Sequence, residues 1–476
     1  MHTPTLTQIK PLTWQLDKSD KMQVPGIIFA DENLLKGMEG KVFEQVSNVA
    51  TLPGIVKASM AMPDAHSGYG FPIGGVAAFD PDKGGVISAG GVGFDIACGI
   101  RTMVTGIHKQ EIIENSKILA DMLFRNIPAG LGSKGGISIN PREMDHLLAQ
   151  GAAWAVKQGY GSMTDLEKIE ETGTAQGARP DYVSDKARER QKKQMGTLGS
   201  GNHYLEVQSI EDIFNEKAAA AMGLRKDDAV VSIHCGSRGL GHQVATDYMR
   251  LMVTETRKQK INLPDRDLAC APIYSETGKQ YLGAMRAAIN CALANRQIIS
   301  HLVRETFTQI FPGSRLNLLY DVSHNTCREE YHKINNTMTR LFVHRKGATR
   351  AFGPGSPDLP VRYADVGQPV LLGGSMGTSS YILAGTTQGM NLGFGSACHG
   401  AGRIMSRKQA TKKFQAGKVI DKLQHQGIEI RGHSFRGLAE EAPEAYKDVD
   451  RVIQVAHDTG LAQKVARLAP MICVKG

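Results

Sequence analysis

Three groups of residues in this chain have types and spacings that could do chemistry. The first is a pool of metal-type donors beside apolar runs. Asp95 and Cys98 lie in GGVGFDIACGIR, His203 in GSGNHYLE, His234 in VVSIHCGSRG and His324 in LYDVSHNT. Singly, each has a plain alternative: a buried cysteine is usually inert packing, and a histidine at a strand end usually serves a hydrogen bond. Together, one carboxylate, one thiol and three imidazoles make a mixed O, S and N donor pool. Such a pool suits a divalent transition ion, and a thiolate can bridge two ions.

The second group suits phosphate. Arg238 follows Cys-Gly-Ser, Lys346 and Arg350 lie in HRKGATRAFG, Arg403 and Arg407 lie in HGAGRIMSR, and Arg190 closes ARER. A guanidinium fork matches phosphate oxygens in pairs. The alternative, a scattered basic surface, stays open for Arg190 and Arg350. The third group is rich in glycine and serine. GGSMGTSS (373–380) could wrap a nucleotide with backbone N–H groups and hydroxyls. FGSACHGAGR (394–403) adds His399, flanked by Gly400 and Gly402, which would let a large group approach the imidazole. A neutral imidazole is a nucleophile toward phosphorus; otherwise His399 merely begins a helix.

These residues need elements to position them. Buried-type strands are expected at 229–235, 315–323, 340–344 and 369–374, with the chemistry-bearing residues at their ends. The first hundred residues read as strands and glycine turns. A helical, polar and peripheral segment is expected from about 109 to 193, in which 165–193 is charged enough to be a solvated face or mobile loop. A long helix is expected at 281–311, and another from near His399 through GRIMSRKQATKKFQ. Strands and helices mix without a βαβ beat, and GxxxxGK[ST] is absent. The expectation is α+β: one large domain over residues 1–476, whose mixed and antiparallel sheets form a central cleft flanked by helices.

Composition sets outer bounds. The chain has 476 residues, 41% hydrophobic and 22% charged, which is ordinary for a globular protein. A net charge of +9 fits a phosphate-bearing partner but does not establish one. The seven cysteines include no CxxC pair, which argues against a disulfide scaffold. The N-terminus lacks the apolar core of a signal peptide, and no run is long and apolar enough to span a membrane, so cytoplasm is the expectation.

The strings PDAHSGYGFPIGG, GGVGFDIACGIR, GSGNHYLE, HCGSRGLGH, DVSHNT, HRKGATRA, LLGGSMGTSSY and CHGAGR, in this order, resemble the RtcB family of RNA ligases. The resemblance runs from about Gly26 to the end of the sequence. It implies a GTP- and manganese-dependent enzyme of tRNA splicing or RNA repair. That enzyme joins a 2′,3′-cyclic phosphate or 3′-phosphate RNA end to a 5′-hydroxyl end. It implies that His399 carries GMP and that Cys98 bridges two manganese ions. Asp95 and His203 would complete one ion's shell, and His234 and His324 the other's. Nucleotide contacts are implied for Asn202, His203, Glu206, His324, Asn325, Gly373, Gly374, Ser375, Met376 and Ser380. The same holds for His399, Gly400, Ala401, Gly402, Tyr446 and Lys475. Arg190, Arg238, Lys346, Arg403 and Arg407 would hold RNA phosphates, and Asp64 would support the site. Strict strand alternation would place Asn202 and Glu206 on one face with His203 opposite. An archease-type accessory protein is a further implied partner.

Two rivals belong to other classes. A metal-dependent phosphoesterase that opens cyclic phosphates would need the donor pool but not His399. A non-enzymatic RNA-binding protein would need aromatic platforms, and aromatic residues are 6% of the sequence and do not cluster along it.

Overall fold

Two large sheets carry the structure. A computed structural model describes residues 6–19, 21–130 and 132–476; residues 1–5, where the reading for a signal peptide begins, lie outside the described residues. In the first sheet the strand order is Leu6–Lys10, Thr13–Leu16, Gly26–Phe29, Ile55–His66, Ile73–Phe79, Thr337–Lys346 and Asn325–Ile334. The second runs Asn317–Ser323, Gly99–His108, Asp228–Cys235, Tyr204–Ile213, Ala462–Lys475, Ser380–Gly385 and Pro369–Leu372. Glu429–Gly432 adds to it, in parallel with Ala462–Lys475. Pairing is antiparallel except there and between Gly26–Phe29 and Ile55–His66, so both sheets are mixed and the α+β expectation holds.

The long helix Glu276–Ile310 is the spine of the largest core. Ser275 caps it, its Oγ accepting from the Gly278 N–H at 3.1 Å. Its middle is buried on every side, including Asn290, Asn295, Arg296, Gln297 and Ser300. Buried polar groups need partners, and these find them on distant segments. Asn290 accepts from Ala175 N, and Asn295 accepts from Gly196 N.

Three expectations are corrected here. The first hundred residues also hold helices at Glu32–Lys36 and Gly40–Val49. The second buries Val42, Val46 and Val49, a helical rather than alternating stripe. The 109–193 segment is not peripheral: Leu119, Leu123, Leu147, Leu148 and Trp154 pack in the same core as the long helix. Nor is 165–193 a solvated face. Asp165 accepts from both terminal nitrogens of Arg304 at 2.7 Å, and buried Glu170 meets Arg328 at 3.0 Å and Arg350 at 3.2 Å.

Candidate active site

Four neighbouring strands of the second sheet end at one edge: Asn317–Ser323, Gly99–His108, Asp228–Cys235 and Tyr204–Ile213. Antiparallel order reverses alternate strands, so this edge collects strand ends and strand starts in turn. His324 follows the first strand, Cys98 precedes the second, His234 is penultimate in the third and His203 precedes the fourth. The structure therefore brings together all five donors read from the sequence. The donor atoms of Cys98, His234 and His324 lie within 4.8 Å of one another, as do those of Asp95, Cys98 and His203.

Cys98 belongs to both groups. Its Sγ lies 3.3 Å from His203 Nε2 and 3.2 Å from His234 Nε2, while the Nε2 atoms of His234 and His324 are 3.2 Å apart. Asp95 Oδ2 is 2.8 Å from His203 Nε2, and buried Asp95 Oδ1 has no hydrogen-bond partner among the described residues. Crowded lone pairs and an orphaned carboxylate oxygen fit two divalent ions that share one thiolate. His203 Nδ1 faces the Leu198 carbonyl at 3.1 Å, which leaves Nε2 for an ion. Burial holds His234 and His324 well below the usual imidazole range, hence in the neutral, ligating form. Burial pushes the Cys98 thiol up to about 12, so a thiolate there requires an ion's charge.

Arg296, fully buried on the long helix, clasps this edge together. Its Nη1 donates to the carbonyls of Ala97 at 2.7 Å and Cys235 at 2.8 Å, and its Nη2 donates to Asp321 Oδ1 at 2.7 Å. Ala97 and Cys235 are next in sequence to Cys98 and His234, and Asp321 lies three residues before His324 on the strand Asn317–Ser323. Ala97 sits at φ +54°, a strained value for a residue with a Cβ, held by this carbonyl contact and by its N–H to Asn325 O at 2.8 Å. A Cβ at Gly236 would enter the Asp95 carboxylate and displace that donor, so glycine there keeps Asp95 in place. Sequence reasoning missed Arg296. Its signal was an arginine in the middle of an otherwise apolar helix, INCALANRQII.

His399 follows the short strand Ser396–Cys398, which pairs with Ala348–Arg350. The expected helix from near His399 is corrected: it begins only at Arg407, and Arg403 instead bridges to Tyr446. Asp64 lies fully buried beneath His399. Its Oδ2 accepts from His399 Nδ1 at 2.7 Å and from the backbone N–H groups of His399 and Gly400 at 3.0 and 3.3 Å. Burial opposes ionisation of Asp64, but the His399 imidazole and the Lys447 ammonium hold its carboxyl below the usual range. An ionised Asp64 places the proton on Nδ1 and leaves Nε2 with a free lone pair. Lys447, also missed, donates to the carbonyls on either side of Asp64, at 2.5 Å to Ala65 and 3.4 Å to Pro63. Gly402 lacks a Cβ for Asp64's sake rather than a ligand's, because a side chain there would enter the Asp64 carbonyl. The His399 and His324 rings are 4.8 Å apart, so the Asp–His pair adjoins the donor cluster.

Both open into one cleft of about 1570 Å³. Asn202, Glu206, Asn325, Gly373, Gly374, Ser375, Met376, Gly400, Ala401, Gly402, Tyr446 and Lys475 line it, as do Arg190, Arg238, Lys346, Arg403 and Arg407. Asn202 and His203 precede the strand Tyr204–Ile213, so the expected alternation does not apply to them and both face the cleft. Burial pushes the Glu206 carboxyl up to about 7, against the pull of Lys475. Ser380 does not itself line the cleft. It lies buried behind the Gly373–Ser375 turn, where its Oγ accepts from Gly374 N at 3.0 Å and from Gln208 Nε2 at 2.9 Å. Arg350, left open by the sequence, is buried against Glu170 and Gln368 and does not line the cleft. Arg403 and Arg407 both meet buried Glu441, at 3.2 and 3.3 Å, so a phosphate there would compete with a carboxylate. Aromatic residues do cluster in space: Tyr69, Phe94 and His242 pack together in the cleft wall.

Fold and cleft together define a class: an α+β protein that sets a cysteine-centred donor cluster and a carboxylate-held histidine in one basic cleft. Comparison with known proteins narrows the class. A family profile described as tRNA-splicing ligase RtcB matches residues 45–476. A Thermococcus kodakarensis protein named tRNA-splicing ligase RtcB is 51% identical over 477 residues, covering 99% of each chain. A Methanococcus maripaludis protein of the same name is 49% identical over 478 residues, again covering 99% of each. The RNA-splicing ligase RtcB of Mycobacterium tuberculosis is 50% identical over 434 residues, 91% of this chain and 100% of its own. The chain belongs to the RtcB family.

Proposed function

We propose that this protein is a GTP-dependent RNA ligase that joins a 2′,3′-cyclic phosphate or 3′-phosphate end to a 5′-hydroxyl end, through GMP carried on His399. The observation that carries the reading is the Asp64–His399 pair beside the donor cluster, a nucleophile held where phosphate charge can be neutralised. The names of the relatives, tRNA-splicing and RNA-splicing ligases, support RNA as the substrate.

Asp95, Cys98 and His203 would hold one manganese ion, and Cys98, His234 and His324 a second. Bound there, such ions supply positive charge that orients the nucleotide phosphates and stabilises the oxygens of the transition state. Asp64 keeps the His399 proton on Nδ1, so Nε2 attacks the GTP α-phosphorus. A P–N bond forms and pyrophosphate leaves. A cyclic phosphate is first opened by water to a 3′-phosphate. An oxygen of that 3′-phosphate then attacks the His399-linked phosphorus, and the imidazole leaves with its electron pair. The 5′-hydroxyl oxygen next attacks the RNA 3′-phosphorus, its proton is lost, GMP leaves and a phosphodiester forms. Glu206 and Lys475 offer an acceptor and a donor to guanine, and Arg190 and Arg238 offer forks to RNA phosphates. Two held ends replace a bimolecular encounter.

The test is incubation with GTP and manganese, with mass measurement of the protein and mapping of the modified residue. One added GMP on His399, absent from His399→Ala, is the expected result. Opening of cyclic phosphates with no covalent nucleotide and no joining would overturn the reading in favour of a phosphoesterase.

A further inference from the structure

Three aromatic rings stand in the cleft wall beside the donor cluster. Tyr69 and Phe94 meet edge to face, with centroids 5.5 Å apart and planes at 62°; Phe94 and His242 stack at 6.3 Å and 17°. Tyr69 and Phe94 are among the large apolar side chains that remain open, at 39% and 36% exposure. Core packing therefore does not account for them. Their backbone is fixed. Lys346 donates to the carbonyls of Tyr69 and Phe71, the latter at 3.1 Å. Gly70, at φ +69°, packs so closely on the Asp267 carbonyl that no side chain would fit.

We propose that Tyr69, Phe94 and His242 form a stacking platform for one unpaired nucleobase at an RNA end. The proposal rests on the RNA reading above and adds a base subsite to it. The surroundings identify the occupant. Phe94 immediately precedes Asp95, so a base on its ring lies next to the cluster that would receive the reacting phosphate. Arg238 and His242 are one helical turn apart at the start of Arg238–Lys258. A phosphate on Arg238 and a base on His242 and Phe94 thus match neighbouring parts of one strand. Flat rings interleaved with guanidinium and ammonium groups recognise single-stranded nucleic acid, because every base has a π face and every linkage a charge. A ligase that must accept different ends gains from such contact, since stacking holds a base without reading its edge.

The probes are RNA oligonucleotides with 2-aminopurine, or an abasic residue, at the terminal position of either the 5′-hydroxyl strand or the 3′-phosphate strand. Wild-type protein should quench 2-aminopurine on one of the two strands. Phe94→Leu should abolish the quenching and weaken binding roughly fivefold or more. Phe94→Tyr should restore both. The abasic strand should bind wild type and Phe94→Leu alike. Tyr69→Leu, away from the donor cluster, repeats the comparison should Phe94→Leu misfold. Quenching that survives both leucine variants, or an equal penalty for abasic and normal strands, overturns the platform. So does binding of an acidic peptide with no quenching of either RNA strand. GMP attachment by wild-type protein is measured alongside. If it occurs while the platform fails, the ligase reading stands; if it is absent while RNA still stacks, the platform stands and the ligase reading falls.

Discussion

His399 and Glu206 show how single residues set this chemistry. The Asp64 carboxylate fixes the imidazole in the tautomer that exposes Nε2. Asp64→Asn keeps the shape but offers an amide that can also donate to Nδ1, which favours the wrong tautomer. GMP attachment should fall by roughly 10²–10⁴, the usual scale of such assistance. Unchanged attachment rates in single-turnover labelling would remove Asp64 from the reaction. Glu206 sets a pH dependence. Its carboxyl is raised to about 7, so below that pH the free protein carries a proton that, on the guanine contact proposed above, the base's N–H donors would have to displace. Apparent GTP affinity should therefore weaken as pH falls below about 7, by at most about tenfold per unit. Glu206→Gln should bind weakly and flatten the profile, as read by calorimetric titration at several pH values. At this scale the sequence was informative. All five donors and His399 stood out by type and setting, and the structure brings them into one cleft. The residues behind them did not stand out. Lys447 and Arg296 act on backbone carbonyls, and no string of residue types shows which carbonyl lies nearby.

The donor cluster sits in and just beyond the ends of four strands, with Asp95 in the loop before Cys98, and one helix holds those ends in register. The long helix Glu276–Ile310 was legible from its apolar run, but its purpose was not. Arg296 links three segments that are more than two hundred residues apart at their extremes, from Ala97 to Asp321. Arg296→Met leaves Asp321 with Arg101 alone and frees two carbonyls. Stability should drop by about 3–5 kcal/mol, as expected for breaking a buried ion pair from one side. Arg296→Lys retains charge but not the fork. It should lose less stability while still weakening manganese binding, a split that denaturant unfolding and metal titration would resolve. If Arg296→Lys binds manganese as wild type does, the clasp is structural only. The misread elements share one cause. Helix onset after His399 and the solvated face at 165–193 were inferred from local composition. Long-range pairing decides them: Ser396–Cys398 finds Ala348–Arg350, and Asp165 and Glu170 find Arg304, Arg328 and Arg350.

Across the whole molecule, part of the basic excess gathers at one place. Arg190, Arg238, Lys346, Arg403 and Arg407 all face one cleft, which holds the donor cluster as well. Single-stranded RNA bound there should release counterions, so log affinity should fall linearly with log salt. Each phosphate neutralised should contribute about −0.7 to the slope. Arg238→Ala should reduce the slope by about one such step and weaken binding across sequences alike. A salt series by fluorescence anisotropy measures this, and an unchanged slope would remove Arg238 from the phosphate track. The α+β class was readable from the mixture of patterns. The order of strands was not, because neighbours in the sheets come from opposite ends of the sequence.

One such neighbour has a consequence in time. Ala462–Lys475 lies inside the second sheet, between Tyr204–Ile213 and Ser380–Gly385. On one side are the strands bearing the metal donors; on the other are those bearing the Gly373–Ser375 turn. The strand that joins the halves, and brings Lys475 to the cleft, is the latest of them to leave a ribosome. During synthesis the donor strands can pair among themselves, while the Gly373–Ser375 turn waits for its neighbour. Strand order along the chain thus lets the donor edge pair before Ala462–Lys475 is in place, whereas the two halves of the sheet meet only through that strand.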